Sequence, residues 1–170
     1  MSGVHRMRWL AVPVLALVLA ACGSGEQSET GSSAAPTPGD GAPGKLTEAE
    51  LIARGDAICR DAGKTLGALA QPKSATDYSG VERYGEELAS AAGQAAGKLK
   101  ALSPPDSVKL DYDAFVKVGG DQVEDARAYV AAGKAKRAGR IRAILAEFRT
   151  TNAEASRLAR KIGFEVCGGV

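Results

Sequence analysis

Histidine, methionine and tryptophan are nearly missing from this chain. The lone His is His5, the lone Trp is Trp9, and the two Met are Met1 and Met7. Past residue 9 there is no imidazole, thioether or indole. That excludes His as general base there, and with it the Ser-His-Asp and Cys-His arrangements. His-ligated zinc and His- or Met-ligated haem are excluded with it. Aromatics make up only 5% of the 170 residues, thin for a surface that stacks bases or ligands. An excess of one charge is also lacking: 22 Lys and Arg face 20 Asp and Glu, which argues against a nucleic-acid partner. No Gly-rich phosphate loop, Gly-x-Ser-x-Gly or Ser-x-x-Lys motif occurs from residue 46 onward. No apolar run reaches the roughly 20 residues that a membrane-spanning helix needs.

One shorter apolar run is present. Arg6 and Arg8 make the start basic, and an uncharged stretch of 13 residues follows from Trp9 to Ala21. A basic start and a run of that length read as a signal peptide over residues 1–21. The run ends in Leu19-Ala20-Ala21-Cys22, followed by Gly23-Ser24-Gly25. This junction resembles the lipobox of bacterial lipoproteins. The resemblance implies cleavage before Cys22 and a diacylglyceryl group on its thiol. Each buried CH₂ of such an anchor contributes about 0.8 kcal/mol, and two chains hold far better than one. The expected location is the outer, extracytoplasmic face of the cell membrane, attached without spanning it.

Residues 22–45 hold the lipidated Cys and a tether. From Gly23 to Lys45 there is no Val, Ile, Leu or aromatic residue. Such a stretch cannot bury enough apolar surface to offset chain ordering, so disorder is expected. As a Gly-rich coil it reaches roughly 25–30 Å.

Residues 46–170 repeat apolar residues at helical spacing in four windows. The first spans about 47–70, opened by a Thr47-x-x-Glu50 capping box, with Leu51, Ile58, Ala62 and Leu69 on one stripe and Ile52, Cys59 and Leu66 beside it. The second, about 75 or 78 to 102, carries Val81, Tyr84, Leu88, Ala91, Ala95, Leu99 and Leu102. Its Ala- and Gly-rich stretch from Ala89 to Gly97 predicts a close approach of a neighbouring helix. The third, about 106–132, carries Val108, Tyr112, Phe115, Val123, Ala126 and Val130. Gly119-Gly120 interrupts it as a point of weakness, and Gly133 is the expected terminator. The fourth, about 134–162, carries Ile141, Ile144, Leu145, Phe148, Ala155, Leu158 and Ile162, and Gly163 closes it. Four such helices with short connections predict an all-α, up-down-up-down four-helix bundle. The structural alternative is a three-helix bundle with one broken helix.

Cys59 and Cys167 are the thiols left after Cys22. In an oxidising compartment they are expected to pair, stapling the bundle by one disulfide as the tail after Gly163 folds back. A redox pair is the competing reading, but there is no Cys-x-x-Cys and no basic helix N-terminus beside Cys59. A Cys-only metal site lacks ligands. The segment Leu51-Ile52-Ala53-Arg54-Gly55-Asp56-Ala57-Ile58-Cys59, together with Gly163-Phe164 and Cys167, resembles a group of actinobacterial lipoproteins with a tether and a helical, single-disulfide domain. The resemblance implies the anchor and the disulfide, and no substrate.

Charge is segregated along the chain. Lys134, Lys136, Arg137, Arg140, Arg142, Arg149, Arg157, Arg160 and Lys161 meet only Glu147 and Glu154 between them. Arg142, Arg149 and Arg160 fall on one helical face. They are the candidate contact with anionic lipid or a cell-wall polymer. The plainer expectation is that these bases face the acids between Asp106 and Asp125 on a neighbouring helix. Asp121, Glu124 and Asp125 are a weak cation set without an EF-hand spacing. Asn152 and Thr151 lie where a polar pocket could be lined. Asp111 and Asp113, two apart on a helix, point to different sides and do not form a catalytic pair. The expected function is a non-enzymatic interaction or structural module of the cell envelope, with no cofactor, no metal and an unknown protein partner. The alternative is a small-molecule or lipid-binding bundle.

Overall fold

The computed structural model describes residues 44–169. The signal peptide, Cys22 and nearly all of the tether lie outside the described residues. Four helices follow one another: α1 (Glu48–Gly67), α2 (Tyr78–Lys100), α3 (Lys109–Lys134) and α4 (Ala138–Ile162). α2 packs along α3 and α3 along α4, while α1 shares a slimmer contact with α2. The result is the expected all-α bundle, with four separate helices rather than three.

Local chemistry sets the helix ends. The Thr47 hydroxyl accepts from the Glu50 N–H at 3.2 Å, and the Glu50 carboxylate accepts from the Thr47 N–H at 2.9 Å. This is the predicted capping box, and those Thr47 donors hold the Glu50 carboxyl below its ordinary range. Asp77 opens α2 by accepting from the Gly80 N–H at 3.1 Å and the Lys73 N–H at 3.0 Å. The Lys73 N–H, then that of Gly80, keep its carboxyl low. Gly163, at φ 100°, ends α4 as predicted.

Two core clusters fill the two ends of the bundle. At the end where the described chain enters, Leu51, Leu99, Tyr112, Phe115, Leu158, Ile162 and Phe164 pack together. At the other end, Val81, Tyr129, Ala132, Ile141 and Ile144 do so. The Phe164 ring lies 5.6 Å from Phe115 and edge-on to Tyr112 at 6.3 Å. The Tyr112 hydroxyl donates to the Leu99 carbonyl. Burial, and secondarily Asp113, push its phenol up to about 12.

The tail closes the fold. Phe164 fits against Gly55, where a Cβ would overlap its ring. Asp56, 7% exposed, accepts from the N–H groups of Val166 (2.9 Å), Glu165 (3.1 Å) and Cys167 (3.3 Å). Cys59 and Cys167 are bonded, with Cα atoms 5.3 Å apart. The expected disulfide is therefore part of a clasp.

Several expectations need correcting. Gly133 does not terminate α3: it is buried inside the helix, where a Cβ would lie 2.9 Å from Val81. The reversal falls instead at Lys136, in the left-handed region at φ 53°. α1 is buried at Leu51, Gly55 and Asp56, Ile58 and Ala62 are half-buried, and the helix ends at Gly67, before the half-buried Leu69. Leu145 is 39% exposed rather than buried on the α4 stripe. α3 runs unbroken through Gly119-Gly120. The close approach of α2 and α3 occurs at Gly85 and Gly133, whereas a Cβ on Gly93 would only reach Val123 at 4.0 Å and one on Gly97 would meet nothing within 4 Å.

Candidate functional site

The uneven burial of α1 has a geometric consequence. Leu51 and the clasp tie α1 down as far as Cys59, and past Cys59 no residue of α1 is buried. Between the two core clusters the four helices therefore fail to close. α1 contributes Ala62, Gly63, Leu66 and Gly67 to the gap, and α2 contributes Ala92, Ala95 and Ala96. α3 adds Phe115, Val116, Gly119 and Gln122, and α4 adds Asn152, Ala155 and Ser156. The Cys59–Cys167 disulfide lines it too. This chamber measures about 450 Å³.

A second chamber of about 420 Å³ adjoins it, lined by Tyr84, Leu88, Tyr129, Leu145, Phe148 and Arg149. The two share Leu66, Ala92, Gln122 and Asn152, so they form one cleft. At the junction the Gln122 side-chain amide donates to the Asn152 carbonyl oxygen at 2.5 Å. Each chamber falls in the size range of small-molecule sites, about 300–1,000 Å³, and mostly apolar walls with a few polar groups are their usual make-up.

The electrostatics are one-sided. Neither chamber has an acidic residue in its lining, among the described residues, and Arg149 is the charged group there. Arg149 makes no ion pair among the described residues. Burial, then Tyr84, push the Tyr129 phenol up, so it stays neutral at ordinary pH. The lining can bind through apolar surface, two amides, two phenols and one guanidinium. A groove of about 500 Å³ between α1 and α2, extended by Leu69, carries Asp61, Glu86, Glu87 and Lys98 in its lining.

The sequence-derived candidates separate in space. Arg149 borders the cleft. Arg160 donates to the Gly168 carbonyl at 2.8 Å and so holds the tail. Arg142 is exposed, without an ion pair among the described residues. The bases of α4 do not mainly face the acids of α3. Arg140 pairs with Glu147 and Arg157 with Glu154 inside α4, Lys109 with Asp113 and Lys117 with Asp121 inside α3. Lys161–Asp111, at 2.7 Å, bridges the two helices. Asp125 sits beside Glu147 and Asp121, and desolvation followed by those charges raises its carboxyl. Among the described residues no three His, Cys, Asp or Glu gather as a metal set. Thr151 is satisfied by the Phe148 and Glu147 carbonyls of its own helix, while Asn152 does line the cleft. Sequence reasoning missed Gln122, Gly55 and Asp56. Positions 55 and 56 carried a signal: Gly55 falls four residues after Leu51 and three before Ile58 on one stripe of α1, and Asp56 four after Ile52 and three before Cys59 on the stripe beside it.

No helix among the described residues is long and apolar enough to cross a membrane. No protein-family model matches the chain, and no curated protein or solved structure matches it either.

Proposed function

We propose that this protein is a lipid-anchored, extracytoplasmic, non-enzymatic binding module. Cys22 carries the diacylglyceryl anchor, residues 23–45 form the spacer, and the helical bundle holds an apolar small molecule. The lipobox-like Leu19-Ala20-Ala21-Cys22 supports the anchor. The observation that carries the binding role is the cleft between the two core clusters, walled by all four helices. A bundle whose only task is to present a surface gains nothing from leaving its middle unfilled, because unfilled space forfeits dispersion contacts. The cleft therefore favours the ligand-binding reading over a purely structural module.

Mass spectrometry on protein released from its own membrane tests both halves. The denaturing mass is expected to show acyl chains on Cys22 and the two-hydrogen loss of the disulfide. The native mass is expected to show a non-covalent adduct of low mass. An apolar fluorescent dye is expected to bind the wild type and Gly120→Leu, but not Gly119→Leu. A side chain at either position meets no neighbour within 4 Å, but Gly119 lines the cleft and Gly120 is exposed. Equal dye binding by both variants would remove the cleft from the proposal.

A further inference from the structure

The two chambers differ in chemistry, and the difference specifies a ligand. The chamber next to the disulfide is lined mainly by the small side chains of Ala62, Ala92, Ala95, Ala96 and Ala155, with Gly63 and Gly119. Such walls give a smooth, mostly apolar slot. The adjoining chamber is bordered by Arg149, an exposed residue at its mouth. On α4, Arg149, Asn152 and Ser156 are spaced by three and four residues, so they share one face of the helix, rising about 1.5 Å per residue from one chamber into the other. With no acid in the lining among the described residues, an anion arriving at Arg149 meets no like charge there.

We infer that the cleft holds a long-chain fatty carboxylate, its chain in the small-residue slot and its carboxylate on Arg149 beside the Gln122–Asn152 amide pair. This rests on the ligand-binding reading above and adds the ligand class and the residue that selects it. A guanidinium is the geometric match for a carboxylate, because two parallel N–H groups meet its two oxygens. A single positive charge balances a single negative one. The Asn152 amide, whose oxygen accepts from Gln122, makes no side-chain N–H hydrogen bond among the described residues and so can offer those donors to the second side of the head. The apolar walls exclude water from the chain, and the open mouth at Leu145 and Arg149 leaves the head partly solvated.

The mature chain carrying Cys22→Ser tests this, since it keeps tether and bundle but has no acyl chain of its own. Titration with [1-¹³C]palmitate is expected to give one saturable bound carboxyl resonance, ionising at lower pH than free palmitate. Arg149→Ala is expected to weaken palmitate about ten- to hundredfold, the range of a lost charge-assisted hydrogen bond. Arg149→Lys is expected to recover part of that loss, and Arg142→Ala to change nothing. Hexadecanol is expected to bind more weakly than palmitate and to ignore Arg149→Ala. Equal binding of palmitate and hexadecanol, with no effect of Arg149→Ala, would overturn the carboxylate assignment and leave the cleft reading standing. Displacement of palmitate by a lysophospholipid at much lower concentration would overturn it in favour of a phosphate head. If palmitate, hexadecanol and the apolar dye all fail to bind, the ligand-binding reading itself falls.

Discussion

Asp56 satisfies three consecutive backbone N–H groups of the tail with one carboxylate, and it does so while nearly buried. A buried carboxylate is tolerated only when such donors replace water. Asp56→Asn keeps the size but turns one oxygen into a donor facing a donor. We expect a loss of about 1.5–3 kcal/mol, read as a lower urea midpoint. An unchanged midpoint would mean that Phe164 and the disulfide hold the tail without it. The position of residue 56 was legible in the spacing of Ile52 and Cys59, which lie four residues before it and three after on one stripe of α1. Its partners were not, because they lie 109 to 111 residues away and a helical period says nothing about a distant tail. Tyr112 makes a pH prediction of the same local kind. Its folded pKa, about 12, lies above its ordinary value of 10, so the neutral phenol is the form the fold favours. Its contribution is complete below about pH 10 and is lost as pH rises toward 12. Tyr112→Phe is therefore expected to flatten the fall in stability between those pH values, measured by urea unfolding at each pH.

Helix ends were more legible than helix faces. The Thr47–Glu50 box and Gly163 depend on residues within one turn, and both occur where the local pattern places them. Glycine inside a helix is ambiguous from sequence alone. Gly133 has the composition of a stop, but it serves close packing against Val81 and Glu82. Gly97 has the composition of close packing but meets open space. The difference is decided by where a second helix lies, which no local period encodes. The same holds for the run from Ala89 to Gly97. Small side chains permit either a tight crossing or an unfilled gap, and here the tight crossings sit at Gly85 and Gly133 while Ala92, Ala95 and Ala96 line the cleft. The stripe of α4 shows the converse. Leu145 and Phe148 obey the helical period yet remain exposed or half-buried, because no core residue of α1 reaches them.

The molecule is fastened unevenly. α2, α3 and α4 share both core clusters, whereas α1 joins only the cluster that holds the clasp. The chain enters at that same end, where the Leu46 N–H donates to the Ser103 carbonyl at 2.9 Å and Lys45 pairs with Asp106 at 2.7 Å. Entry, clasp and disulfide thus pin one end, and the cleft begins where the pinning stops. Cys59 and Cys167 are 108 residues apart in sequence. In the chain-entropy model, closing a loop of about 100 residues contributes about 4.7 kcal/mol by restricting the unfolded chain. The double variant Cys59→Ser/Cys167→Ser is expected to lose up to that amount in urea unfolding, at unchanged helix content in native buffer. Dye binding should weaken alongside, because α1 is the wall that the disulfide holds in register. A variant that keeps both stability and dye binding would show that Asp56 and Phe164 close the molecule by themselves. One that keeps stability but loses the dye would place the disulfide's main effect on the width of the cleft.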